Sequence, residues 1–202
     1  MNKSPSADAN KALQTMANFY AAGVAECGVT EQLIVAAICT AAEATQQVPM
    51  RPGYYAIFIN ASCELPSPYR DLLVQSDTKL IYIGIATVKQ DLRHEGRSTF
   101  FRGIGAILGY RPPCGSLRHK KNKNNYGFSR SDTDEIVSWI ERHLLVSWVE
   151  AVPALASIEK DLIRKYSPML NTTHNPTPVH ELAALRRECR IIASTRCEDL
   201  DG

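Results

Sequence analysis

Paired cysteines are missing from this chain. Cys27, Cys39, Cys63, Cys114, Cys189 and Cys197 form no C-x-x-C unit and lie scattered through 202 residues, which argues against a zinc ribbon or a disulfide framework. Reduced thiols in a cytoplasmic protein are the expectation for such spacing. No apolar core follows the opening Met1-Asn2-Lys3, so a secretory leader is not expected, and no hydrophobic run has the length of a bilayer span. Internal repeats and long low-complexity tracts are also missing. With 45% hydrophobic residues the chain can fill one main core and carry a helical appendage.

Acids are missing from one long segment. None occurs between Glu95 and Asp132, where Arg97, Arg102, Arg111, Arg118, Lys120, Lys121, Lys123 and Arg130 supply eight positive charges. The formal net charge is +2, so the remainder of the chain carries −6. Clustered cations release counterions when they meet phosphates, and Tyr110, His119, Tyr126 and Phe128 interleave with them as stacking platforms. Arg111, Arg118, Lys120, Lys121, Lys123 and Arg130 are therefore candidate nucleic-acid contacts, with a solvated basic loop as the plain alternative.

Leu13, Met16, Ala17, Tyr20, Ala21 and Val24 recur at helical spacing, and Thr30 can cap a second helix through Leu33, Ile34, Ala37, Ile38 and Ala41. The pair is nearly uncharged, which suits packing, a homodimer or a partner protein better than entry into a DNA groove. Pro49 and Pro52 mark its end. The division expected is a helical extension over 1–50, a main domain over 51–195 and a frayed acidic tail over 196–202.

In the main domain, 54–59 and 80–85 read as strands rich in aromatic and β-branched residues. The long connection between them holds Pro66 and Pro68 and has room for a short helix. A helix is expected from Phe100 to Leu108, and another through Ile136, Trp139 and Ile140, with Ser131 and Asp134 as a capping box. A third strand follows over 144–150, then a helix after Pro153 and a last one over 178–193. The fold expected is α/β in the α+β sense: a small, mainly antiparallel, three-stranded sheet flanked by helices, behind the helical extension.

One carboxylate stands out in the helix after Pro153. Glu159 falls on an apolar stripe of Leu155, Ile158, Leu162, Ile163 and Tyr166, and the residues three and four away, Leu155, Ala156, Leu162 and Ile163, offer it no counter-charge. An ionised group there requires a cation from elsewhere in the fold, or a metal ion, or else it takes up a proton.

Gly53-Tyr54-Tyr55-Ala56-Ile57 in the first strand, Tyr82-Ile83-Gly84 in the second, and Glu159 through Pro168 to Asn171 together resemble the GIY-YIG nuclease superfamily. The last stretch is similar to the nuclease module of the bacterial excision-repair incision subunit, including the spacing from Glu to Asn. The resemblance runs over about 53–171. It implies metal-dependent hydrolysis of DNA phosphodiester bonds, with Tyr55 as general base, Tyr82 on the phosphate or the attacking water, and Glu159 holding one divalent cation, Mg²⁺ or Mn²⁺. Gly84 and Asn171 are implied as supporting residues. For the arginine that reaches the scissile phosphate, Arg93 is the best match and Arg102 its competitor; His94 matches a histidine that assists proton transfer in some members. A phenol with a free pKa near about 10 needs nearby cations to act as a base at neutral pH. Ile85 stands where many members have a lysine. A binding module of the same fold with weak or no catalysis is the alternative this departure leaves open.

Overall fold

The computed structural model describes residues 33, 38–48, 53–60, 65–76, 78–86, 88–93, 98–150 and 155–195. The expected first helix over 13–24, the acidic tail and His94 lie outside the described residues. The strands are β1 (Ile38–Thr40), β2 (Gly53–Ile59), β3 (Leu80–Ala86) and β4 (Leu144–Glu150). The helices are α1 (Ala41–Gln47), α2 (Tyr69–Gln75), α3 (Val88–Arg93), α4 (Thr99–Ile107), α5 (Arg130–His143), α6 (Leu155–Tyr166) and α7 (His180–Ser194).

The sheet has four strands, not three, in the antiparallel order β1-β4-β2-β3. The extra strand is drawn from the stretch read as the second N-terminal helix. Ile38, Cys39 and Thr40 pair with Ser147, Val146 and Leu145. Thr40 then caps α1, its hydroxyl accepting from the Glu43 amide while its own amide donates to the Glu43 carboxylate. That capping box opens α1 after the strand; of the residues expected in a helix capped by Thr30, Leu33 is helical, and Ile34 and Ala37 lie outside the described residues. Ile38 fitted the helical stripe because a three-residue strand shows too little alternation to declare itself.

β2 lies between β3 and β4 and is buried on both faces, which is why it reads as an unbroken apolar run. Tyr55, Ile57 and Ile59 point toward Phe100, Phe101 and Ile104 of α4 and Ile136 and Ile140 of α5. Tyr54, Ala56 and Phe58 point the other way, against Leu162 and Ile163 of α6. α5 begins two residues before the expected capping box: Ser129 accepts from the Asp132 amide at 3.1 Å.

The basic segment between α4 and α5 is a folded loop. Its Leu117 amide donates to the Ala193 carbonyl at the end of α7 (2.8 Å), and Leu117 and Tyr126 pack against Ala106, Cys189 and Ala193. Cys114 in this loop is disulfide-bonded, which corrects the expectation that all six thiols are reduced. Bridging depends on proximity in space, and scattered spacing cannot display it. Among the described residues no helix is long and apolar enough to cross a membrane.

Candidate active site

The register between β2 and β3 brings the motif residues onto one face. Tyr55 stands opposite Gly84, and Ile57 opposite Tyr82, so both tyrosines point toward α3 and α4 with ring centroids 6.1 Å apart. Tyr55 is fully buried, and its hydroxyl donates to Oδ2 of Asp91 on α3. Gly84 makes that seat possible. A Cβ at Gly84 would run into the Tyr55 phenol and lie 2.9 Å from Cε1 of Tyr82. The glycine serves close approach between strands here, with no unusual backbone torsion required.

Tyr82 packs on Phe100 with centroids 5.2 Å apart. Burial pushes its phenol up to about 12, helped by the Glu159 carboxylate and opposed by the guanidinium groups of Arg186 and Arg102. It stays protonated near neutrality and can donate a hydrogen bond to an anion. Asp91, beside Tyr55, is half-buried; burial raises its pKa, while Ser98 and Arg102 act in the opposite direction.

Glu159 reaches this centre from α6 on the opposite face, around the free edge of β3. The edge explains the spacing of the last motif. Leu170 donates its amide to the Ile81 carbonyl (2.8 Å); Ile83 donates to Oδ1 of Asn171 (2.9 Å) and accepts from its Nδ2 (2.8 Å). The Ile85 amide, next along the edge, bonds to the Glu159 carboxylate. Ile81, Ile83 and Ile85 are the alternate residues whose polar groups face outward on an edge strand, so the chain after α6 and the Glu159 side chain close that edge in place of a fifth strand. Glu159 is half-buried and its pKa is raised, first by burial and then by the Asp91 carboxylate.

Asn171 is thus a strand-edge clamp. Substituting Asn171→Ala would strand both polar groups of Ile83 in a buried place, and each orphaned group costs about 1–3 kcal/mol. The midpoint of urea unfolding should fall accordingly, with Asn171→Asp intermediate because it retains the acceptor for Ile83 N–H.

The two candidate arginines separate clearly. Arg93 is exposed at the end of α3, where Nη2 donates to Thr45 Oγ1 (3.1 Å) and lies 3.5 Å from Glu141 Oε1, toward α1 and α5. Arg102 is 6% exposed within α4, lies over the Tyr126 ring at 5.7 Å, and its charge is felt by both Asp91 and Tyr82. The structure brings together Tyr55, Tyr82, Gly84, Arg102, Glu159 and Asn171, and turns Arg93 away. It adds Asp91 and Arg186, which sequence reasoning missed. The signal for Asp91 was slight: it is the one acid between Asp77 and Glu95.

Part of the basic loop is committed to the fold. Arg111 forks onto Glu188 at 2.9 and 3.1 Å and caps the carbonyls of Ala106 and Tyr110. Lys120 and Lys123 donate to the Asn125 and Leu117 carbonyls. Arg118, Lys121 and Arg130 are exposed.

Two tyrosines on facing strands, a glycine that seats one of them, and a glutamate and an asparagine at the strand edge define a nuclease-type site. The chain belongs to the GIY-YIG family: the model of the GIY-YIG catalytic domain matches residues 53–190, from the start of β2 into α7. No curated protein and no solved structure matches the chain. The family is one of nucleases that typically use divalent metal ions, with DNA as the substrate its catalytic domain implies.

The donors present fit such an ion. Among the described residues no cluster of three or more His, Cys, Asp or Glu side chains is found, so these residues alone offer no closed cage. Mg²⁺ accepts one or two carboxylates completed by waters and phosphate oxygens, and Glu159 forms no ion pair among the described residues that would compete for it.

Proposed function

We propose that the chain is a metal-dependent endonuclease that hydrolyses DNA phosphodiester bonds at the cluster of Tyr55, Tyr82, Asp91, Arg102 and Glu159. The observation that carries this reading is the convergence of both motif tyrosines, a buried arginine and a glutamate with no ion pair among the described residues, from four separate elements on one edge of the sheet. Glu159 would hold Mg²⁺ or Mn²⁺, which when bound supplies positive charge to the oxygens of the phosphate.

The Tyr55–Asp91 pair is the proton acceptor. The phenol already donates to Asp91, so its remaining lone pairs are free to accept, and the phenolic proton has a half-buried carboxylate waiting for it. The water oxygen bonds to phosphorus, its proton passes to the pair, the bond from phosphorus to O3′ breaks, and O3′ takes a proton from solvent. The ends are a 5′-phosphate and a 3′-hydroxyl. Tyr82, kept protonated by burial, donates to a phosphate oxygen, and Arg102 places a fixed cation beside it. Arg102 thereby takes the role for which Arg93 was the better match in sequence.

Supercoiled plasmid should be nicked in Mg²⁺ and spared after chelation. Arg102→Ala should lower the rate by about 10²–10³-fold. Arg93→Ala should stay within a few-fold of wild type, since Arg93 faces Glu141. The reverse ranking would return the role to Arg93. Ile85, in place of a lysine, favours the second reading, a DNA-binding module of the same fold; binding without cleavage in Mg²⁺ and Mn²⁺ would establish it.

A further inference from the structure

A cavity of about 340 Å³ opens between α4, α7, the loop after α6 and the basic loop. That volume lies within the range of sites that take a small molecule or a nucleotide-sized fragment. Arg102, Arg186 and Arg190 line it together with Asn124, Thr172 and Thr173, and none of the described residues that form its wall is acidic. Ala183, Arg186 and Arg190 are three and four residues apart, so α7 turns one face toward it.

The wall is built. Gly103 leaves room for the Arg186 guanidinium, since a Cβ there would come within 2.6 Å of Nη2. Arg186 is then held by Thr172 Oγ1 (3.3 Å) and by the carbonyls of Thr99 (3.3 Å) and Leu170 (3.2 Å), while its buried Nε has no hydrogen-bond partner among the described residues. Arg190 donates to Asn124 Oδ1 at 3.2 Å. Burial lowers the Arg186 pKa; the Tyr126 and Tyr82 phenols oppose this, and its neighbours Arg102 and Arg190 add to it. Arg111 and Arg164, by contrast, lie against carboxylates, of Glu188 and Asp161. Here cations are gathered around open space, an arrangement that an anion with several acceptor oxygens relieves.

We propose that this cavity holds a phosphate group of the nucleic-acid strand next to the bond being cut, gripped by Arg186 and Arg190 and by the hydroxyls of Thr172 and Thr173. The placement rests on the nuclease reading, because Arg102 of that site also forms part of the cavity wall, and its helix α4 packs Phe100 on Tyr82. The source of the phosphate, an internal diester or a terminal monoester, is left to the experiment.

Binding of a short 3′-labelled DNA duplex to the full chain is measured by anisotropy in chelator across a salt series, with either a 5′-hydroxyl or a 5′-phosphate on the duplex. Arg190→Ala should weaken binding roughly tenfold and reduce the slope of log affinity against log salt by about one. Ala183→Glu, an exposed position on the cavity wall, should weaken binding at least as much by placing a carboxylate at its mouth. Equal affinity for the two duplexes assigns an internal diester. Tighter binding of the 5′-phosphorylated duplex, lost in both variants, assigns a terminal monoester. Wild-type affinity and an unchanged slope in both variants, with circular dichroism showing them folded, overturns the proposal. Since binding is read without cleavage, an inactive chain whose salt slope still drops in the variants would sink the nuclease reading and leave the cavity standing.

Discussion

Tyr55→Phe and Asp91→Asn should each lower the single-turnover rate of DNA cleavage by about 10²–10⁴-fold, and the double variant should lose little more than either alone. The phenylalanine keeps the ring that packs beneath Tyr82 and removes the oxygen. The asparagine keeps the shape of the carboxylate and removes its capacity to take the phenolic proton. If the pair works as one acceptor, deleting either half disables both. Independent contributions would instead multiply, which would separate Asp91 from the proton path. Binding of DNA by the three variants should remain close to wild type.

The second large effect belongs to Gly84. Its missing Cβ is the space in which the Tyr55 phenol lies, so Gly84→Ala forces the ring out of its seat or the strands apart. Overpacking of this kind costs about 1–3 kcal/mol, and the displaced phenol loses its bond to Asp91. Gly84→Ala should therefore lower stability and also abolish cleavage under conditions where the protein is still folded. In a Tyr55→Leu background, which removes the ring tip, Cζ as well as the hydroxyl, the same alanine should cost less stability. Equal costs in the two backgrounds would show that Gly84 is constrained by something other than Tyr55.

Sequence reading reached the site where strand period and motif spacing carried it. Tyr55 and Tyr82 could be placed because two seven-residue strands with strong β formers declare themselves, and antiparallel pairing then sets their faces. Glu159 could be flagged because a charge on an apolar stripe is an anomaly that survives without knowledge of the fold. Its contact with the Ile85 amide could not, since the neighbour comes from a strand 74 positions away and lies on an edge visible only once the sheet is assembled. The same holds for Arg186 and Asp91, which reach the site through helix packing that leaves no trace in local spacing.

The two arginines illustrate the limit most plainly. Arg93 matched by distance along the chain, whereas Arg102 matched by environment. Residues 100–107 of α4 are all buried, so a charge within them must meet partners inside or reach a cavity. That reasoning was open in Phe100-Phe101-Arg102, yet it depended on knowing that the glycines of this helix face Arg186, Phe128 and Ile136 rather than water.

The central claim is tested most directly by the rate at which purified wild-type chain and Glu159→Gln convert supercoiled plasmid to nicked and linear forms in Mg²⁺. Glutamine retains an acceptor for the Ile85 amide, so the edge of β3 stays closed while the negative charge is lost. The account predicts cleavage by the wild type that leaves 5′-phosphate and 3′-hydroxyl ends, and a rate at least about 10²-fold lower in the folded variant. Equal rates in the two proteins, or an intact plasmid with DNA still bound by the wild type, would contradict it.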